Sequence, residues 1–173
     1  MAPVDPLAHA EELLRRVYAY VAYRVHDRTE AEEITGETFV RAVRYRDRYD
    51  ARRGEPIAWL LGIARRCIYD ASLQPRAEPA DGEPAVSGDL EGEVVSRMTL
   101  ASALAALSSS DRDLIALRYG ADLTTREIAR VLEMRAGSVD VALSRARARL
   151  KELLESDLTP RIPPATKIAD ERL

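Results

Sequence analysis

Between Gln74 and Gly92 the sequence offers a folding chain almost nothing to bury. Pro75, Pro79 and Pro84 interrupt any helix, Gly82 and Gly88 loosen the backbone, and Glu78, Asp81, Glu83 and Asp89 keep it hydrated. On either side, apolar residues recur at helical spacing, so the stretch reads as an acidic, flexible linker between two small helical domains. The boundaries fall at 1–72 for the first domain, 73–92 for the linker, 93–155 for the second domain and 156–173 for a tail. With 5% aromatic residues and only 8 Gly and 9 Pro, neither a β-sandwich nor a collagen-like repeat fits. The fold class expected is all-α.

Several function classes fall away early. The longest apolar run, Ile57 to Ala64, is far short of the roughly 20 residues of a membrane span. No basic segment followed by an apolar stretch opens the chain, so a cytoplasmic location without membrane insertion is expected. A single cysteine, Cys67, leaves no internal disulfide. With His9 and His26 as the only histidines, neither a structural zinc site nor an acid–base pair is expected. No Gly-rich phosphate loop or Ser/His/Asp set stands out, so no cofactor and no enzyme activity are expected.

Helix signals punctuate both blocks. Asp5-Pro6 predicts a helix over about 6–26, with Leu7, Leu13, Leu14, Val17, Val21 and Val25 on its apolar side. Thr29 and Glu32 form a candidate capping box for a helix to Tyr45 carrying Ile34, Phe39, Val40 and Val43. An Arg-rich loop, 46–55, precedes a third helix that Pro56 opens and that carries Trp59, Leu60, Ile63 and Ile68. Beyond the linker, helices are predicted over 93–107, from a Ser108 cap to Tyr119 with Gly120 as the stop, and from the Thr124–Glu127 capping box to Leu132. A turn at 133–136 leads to a long helix over 137–154.

The last two helices form a helix-turn-helix pattern, with Ile128, Ala129, Leu132, Val139 and Leu143 turned inward. The outward face then carries Arg135, Ser138, Val141, Ser144, Arg145 and Arg149. The net charge of −3 hides the pattern behind this face. Residues 15–66 hold 12 basic against 8 acidic side chains, and 111–151 hold 9 against 6, with an acidic block between them. Of the 26 basic residues 24 are Arg, whose planar fork suits phosphate and base edges. Blocks so weakly charged make poor DNA binders on their own.

The first block decides between the classes that remain. Ala31-Glu32-Glu33-Ile34-Thr35-Gly36-Glu37-Thr38-Phe39-Val40-Arg41-Ala42, followed by Ala58-Trp59-Leu60-Leu61-Gly62-Ile63-Ala64-Arg65-Arg66, resembles the core of bacterial RNA polymerase sigma factors. The two-domain layout resembles the extracytoplasmic-function (ECF) group of the sigma-70 family. Ala103–Leu107, Leu117-Arg118-Tyr119, Glu127-Ile128-Ala129 and Leu143–Arg147 continue the likeness in register. It implies a subunit that binds core RNA polymerase and directs promoter recognition, melting and initiation. The runner-up is a free-standing helix-turn-helix regulator.

By that resemblance the first domain docks on the clamp helices of the polymerase β′ subunit, with Glu33, Glu37 and Arg41 as docking candidates. It also captures the single-stranded minus-10 element, for which Arg48, Tyr49, Arg52, Arg53, Trp59, Arg65 and Arg66 are the candidates. A base turned out of the stack needs a π-face with positive charge nearby, which these residue types supply. The outward face of the last helix implies minus-35 readout, with a β-flap contact from the same domain and an anti-sigma factor as a further partner. Gly36, Glu133, Asp140 and Ala142 depart from the family pattern. Glu133 stands where the turn favours glycine, and a left-handed backbone there costs a non-Gly residue about 1 kcal/mol.

Overall fold

The computed structural model describes residues 5–74, 84–85 and 94–158, and within them the chain is helical with no strand. Helix α1 (Ala10–Arg24) begins later than Asp5-Pro6 suggests. The Asp5 carboxylate accepts the Leu7 N–H at 3.0 Å and its carbonyl accepts the Ala8 N–H, so Asp5 closes a turn instead of capping a helix. Helix α2 (Arg28–Arg44) is capped by Asp27 and not by the Thr29–Glu32 box: Asp27 Oδ1 accepts the Glu30 N–H at 2.8 Å. An extended Asp27 right at the exit of α1 forestalls the later cap, and Glu32 pairs with Arg28 instead. Pro56 opens α3 (Pro56–Ser72), as its missing N–H allows.

The three helices enclose Val17, Val21, Ile34, Leu60, Leu61 and Ala64. Thr35 and Thr38 are buried too, and their hydroxyls donate to the Ala31 and Ile34 carbonyls at 2.7 and 2.8 Å. Returned to the preceding turn in this way, neither hydroxyl is left unsatisfied.

Most of the linker lies outside the described residues, but Pro84 and Ala85 do not behave as a solvated tether. Pro84 makes an isolated antiparallel bridge with Asp27, and the small apolar Ala85 is 3% exposed in the core.

The second domain comprises α4 (Val94–Ala106), α5 (Ser109–Ile115), α6 (Thr125–Val131) and α7 (Ala136–Leu158). Ser108 caps α5, and Thr124 with Glu127 completes the capping box that opens α6. The expected α-helix to Tyr119 changes character after Ile115. Ala116–Gly120 form one π-helical turn, closed by the Ala121 N–H on the Ala116 carbonyl at 2.9 Å. Glu133 has φ +55°, the left-handed value expected there, and the Met134 N–H reaches the Ala129 carbonyl at 2.9 Å to close the end of α6. Helix α7 runs past the expected boundary at 155, and residues 159–173 of the tail lie outside the described residues.

The two domains pack against each other and share a continuous apolar cluster. Helix α1 lies along the π-helical turn, where Ala121 and Leu123 are fully buried. A Cβ on Gly120 would stand 2.8 Å from the Ala19 carbonyl oxygen and 2.9 Å from the Tyr20 Cα, so glycine is what lets the two backbones meet. Arg16 Nε donates to the Ala121 carbonyl at 2.9 Å. Tyr20 donates its hydroxyl to Asp113 at 2.6 Å, and Arg24 pairs with the same carboxylate.

Candidate nucleic-acid interface

The loop between α2 and α3 folds over the start of α3 and leaves a groove of about 640 Å³. Tyr49 and Trp59 form its aromatic wall, with ring centroids 5.5 Å apart and planes tilted by 57°. The Tyr49 hydroxyl donates to the Gly54 carbonyl at 3.0 Å, and Gly54 has φ +151°, which a side chain would resist. Burial, aided by the Glu55 and Asp50 carboxylates, raises the Tyr49 phenol above its ordinary range, so it remains a neutral donor. Arg48 lies over the Tyr45 ring, its Cζ 5.0 Å from the centroid, and Arg53 and Arg66 also line the groove. Two flat rings with cations around them suit an unpaired base and its phosphate.

Two candidates for this site lie elsewhere. Arg52 folds onto Asp50 through contacts of 2.9 and 3.0 Å and holds that carboxyl below its usual range. Arg65 leaves the groove, reaching Asp113 at 3.1 Å and the Val131 carbonyl at 3.4 Å.

In the second domain, Val139, Leu143 and Ala146 anchor α7, which turns Ser138, Val141, Ser144 and Arg145 outward, with Arg135 at the entry. All five are exposed.

The chain resembles known proteins along both halves. Residues 9–76 match the family model for sigma-70 region 2, and residues 97–150 match that for sigma-70 region 4. It is 30% identical over 154 residues to the ECF RNA polymerase sigma factor SigK of Mycobacterium ulcerans, spanning 82% of this chain and 81% of that one. The chain belongs to the ECF sigma factors. It is also 31% identical over 150 residues to the ECF RNA polymerase sigma factor BldN of Streptomyces coelicolor, spanning 82% of this chain but only 57% of that relative. The fold is that of the sigma factor RpoE in its complex with the anti-sigma factor NepR from Bartonella quintana (TM-score 0.66, 22% identity, covering 86% of this chain and 96% of that one). CnrH, solved with the cytosolic domain of CnrY, shares it as well (TM-score 0.62, 24% identity, covering 86% and 84%).

In this sigma factor the region 2 docking candidates lie on α2. Glu33 and Glu37 are exposed, and beside them Val40 and Val43, placed on the apolar side by sequence, are 47% and 62% exposed. Sequence periodicity alone misassigns them, because α2 buries a narrower stripe centred on Ala31, Ile34, Thr38 and Ala42. Arg41 differs from its neighbours. It bridges Glu37 and Asp70, each at 2.7 Å, and these bonds push its pKa further above the ordinary range.

Arg149 is likewise engaged, at 2.6 Å from Asp111 on α5. Asp140 accepts the Thr125 hydroxyl at 2.9 Å, which ties it to α6, and Ala142 is half-buried towards the cleft between the domains. Gly36 faces open space, with nothing within 4 Å of where a Cβ would sit. Among the described residues no helix is long and apolar enough to cross a membrane.

Proposed function

We propose that this sigma factor divides promoter recognition between its two domains, with the groove lined by Tyr49 and Trp59 as the site of minus-10 strand capture. Tyr49, Trp59, Arg48, Arg53 and Arg66 converge on one groove, and this convergence carries the reading. An extruded base stacks on the rings while the guanidinium groups neutralise the flanking phosphates. Arg65 and Arg52 join only if they leave their present carboxylate partners.

The duplex at minus-35 is assigned to Arg135, Ser138, Val141, Ser144 and Arg145 of α7, with Arg149 tying α7 to Asp111 of α5. Val141, 52% exposed, suits contact with a thymine methyl. Glu33 and Glu37, with Val40 between them and the next turn, form the acidic–apolar face offered to the β′ clamp helices, and Arg41 positions Glu37. The second domain touches the β-flap. Work with the polymerase places the protein in the cytoplasm, with no chemical step of its own. An anti-sigma factor is a further partner, by analogy with the sigma factor RpoE, solved in complex with the anti-sigma factor NepR.

Transcription in vitro with core polymerase, on promoters selected from a genomic library, tests the assignment. Specific initiation should require both the protein and the core enzyme. Tight, sequence-specific binding to duplex DNA by the free protein would instead support the helix-turn-helix regulator.

A further inference from the structure

From Ala136 to Lys151 the charged residues of α7 are Arg145, Arg147, Arg149, Lys151 and one acid, Asp140. A carboxylate facing phosphate is repulsive, so an acid here lowers affinity for DNA in general unless it meets a group that favours it. Asp140 is exposed, yet its hydrogen-bond partner is a hydroxyl and not one of those cations: its Oδ1 accepts the Thr125 Oγ1–H at 2.9 Å. Thr125 is the half-buried first residue of α6, so the carboxylate is tied to the neighbouring helix by one oxygen. Among the described residues nothing donates to the other oxygen, Oδ2.

The surroundings leave that oxygen accessible. Side chains on a helix lean toward its N-terminus, so Asp140 leans over the preceding turn. Its neighbour there, three residues back on the same face, is Gly137, which has no side chain to cover it and open space about its Cβ position. Val141 and Ser144 beside it are exposed as well. Asp140 lies within the first two turns of α7, the part of a recognition helix that meets base edges.

We propose that Asp140 is a specificity-determining residue of the upstream site, its Oδ2 accepting from the N4 amino group of one cytosine while Thr125 positions it. The proposal rests on the reading of α7 as the minus-35 helix. In the major groove cytosine presents a donor, guanine two acceptors, and thymine an acceptor with a methyl group. A carboxylate accepts from the first and is repelled by the acceptors of the other two. Adenine sets its N6 donor beside the N7 acceptor, a pattern that fits an amide and not a carboxylate. Selectivity of this kind comes as much from rejecting the other bases as from attracting cytosine. The Thr125 bond matters because an untethered carboxylate would swing away from the phosphates into solvent, and discrimination would fade with it.

The test uses the full chain with core polymerase on promoter libraries randomised across the upstream duplex, with the bound templates sequenced. The wild type should enrich cytosine at one position about fivefold or more over each other base. Asp140→Asn, nearly isosteric, should move the preference at that position to adenine, which an amide meets with both its donor and its acceptor. Asp140→Ala should leave the position indifferent and strengthen binding to random duplex, since a negative charge is gone. Thr125→Val should lessen the cytosine preference at that position alone, and Thr125→Ser, which keeps the hydroxyl, should restore it.

Thermal melts of each variant separate readout from folding. Variants that weaken every position together with a lowered melting temperature, or a wild type with no cytosine-selective position, overturn the role of Asp140. Should both Asp140 variants keep the wild-type preferences while Arg145→Ala alters the upstream pattern, Asp140 has no part in readout and α7 remains the reader. If no substitution on α7 alters that pattern, Arg145→Ala included, the minus-35 assignment falls and the proposal with it.

Discussion

Tyr49→Ala is the substitution that separates strand capture from folding. In the structure the Tyr49 ring has two intramolecular ties, the tilted contact with Trp59 at 5.5 Å and the 3.0 Å hydrogen bond to Gly54. An aromatic pair contributes about 0.5–1.5 kcal/mol beyond area burial, and a neutral hydrogen bond about 1 kcal/mol. Stacking of one captured base adds about 1–3 kcal/mol, a factor of roughly 5 to 150 in the open-complex equilibrium. On a duplex template the captured base must repay the cost of opening, so the loss appears as fewer open complexes. On a template already mismatched at minus-10, opening is favourable beforehand, and the same loss barely depopulates the open state. The assay is permanganate reactivity or abortive initiation with core polymerase on both templates, beside a Tyr49→Phe control that removes only the Gly54 bond. A fall of tenfold or more on duplex with little change on the mismatched template is the expected result. Equal losses on both would refute the stacking argument and leave Tyr49 a role in holding the loop.

Glu133→Gly should stabilise the protein by about 1 kcal/mol and raise its melting temperature by a few degrees, since it relieves a side chain at φ +55°; no rise in a thermal melt would contradict the assigned strain. Glu127→Ala should cost about 1 kcal/mol at neutral pH by removing half of the capping box. The Thr124 hydroxyl and N–H hold the Glu127 carboxyl below its ordinary range, so this contribution is complete above the unfolded pKa of about 4.3. It is lost as the pH falls through the lower folded value, and denaturant titrations across that window should show the gap between wild type and variant closing. Arg145→Ala should weaken upstream duplex binding about tenfold in a holoenzyme footprint while leaving core affinity unchanged. Arg149→Ala should act instead on stability, because it frees Asp111.

Much of this architecture is readable from local chemistry. Pro56, Ser108 and the Thr124–Glu127 pair each mark a helix start that the structure reproduces, because a cap is satisfied by neighbours a few residues away. Glu133 likewise betrays its left-handed turn by occupying a position that a helix end reserves for glycine. The start of α1 escapes because Asp5 closes a turn ahead of the helix, and that of α2 because Asp27 caps it in place of Thr29. Residue type and loop position anticipate that Tyr49, Trp59, Arg48, Arg53 and Arg66 come together around one groove. They do not anticipate the ion pairs of Arg65 and Arg149, whose partners Asp113 and Asp111 are 48 and 38 residues away. Arg16, Tyr20 and Arg24 stand four residues apart in the sequence, but only the second domain that faces them gives the spacing a meaning. Gly120 looked like a helix stop and is a point of contact between two backbones.

The disposition of arginines explains why a chain so rich in them depends on a larger machine. Arg16 and Arg118 are spent on backbone carbonyls, while Arg24, Arg41, Arg52 and Arg149 are spent on carboxylates. Arg65 serves both. These pairs satisfy carboxylates and chain ends within the fold and add little positive field outside it. On the proposed assignment, what is left for DNA among the described residues is a few cations around the aromatic groove and Arg135 with Arg145 on α7. Affinity that grows with the number of phosphates neutralised is therefore small for either surface taken alone. Two weak sites become specific only when something fixes the distance between them, so that the second binding event is intramolecular. Core polymerase supplies that geometry. On the proposed assignment, the arginines engaged within the fold are the physical reason that promoter binding waits for it.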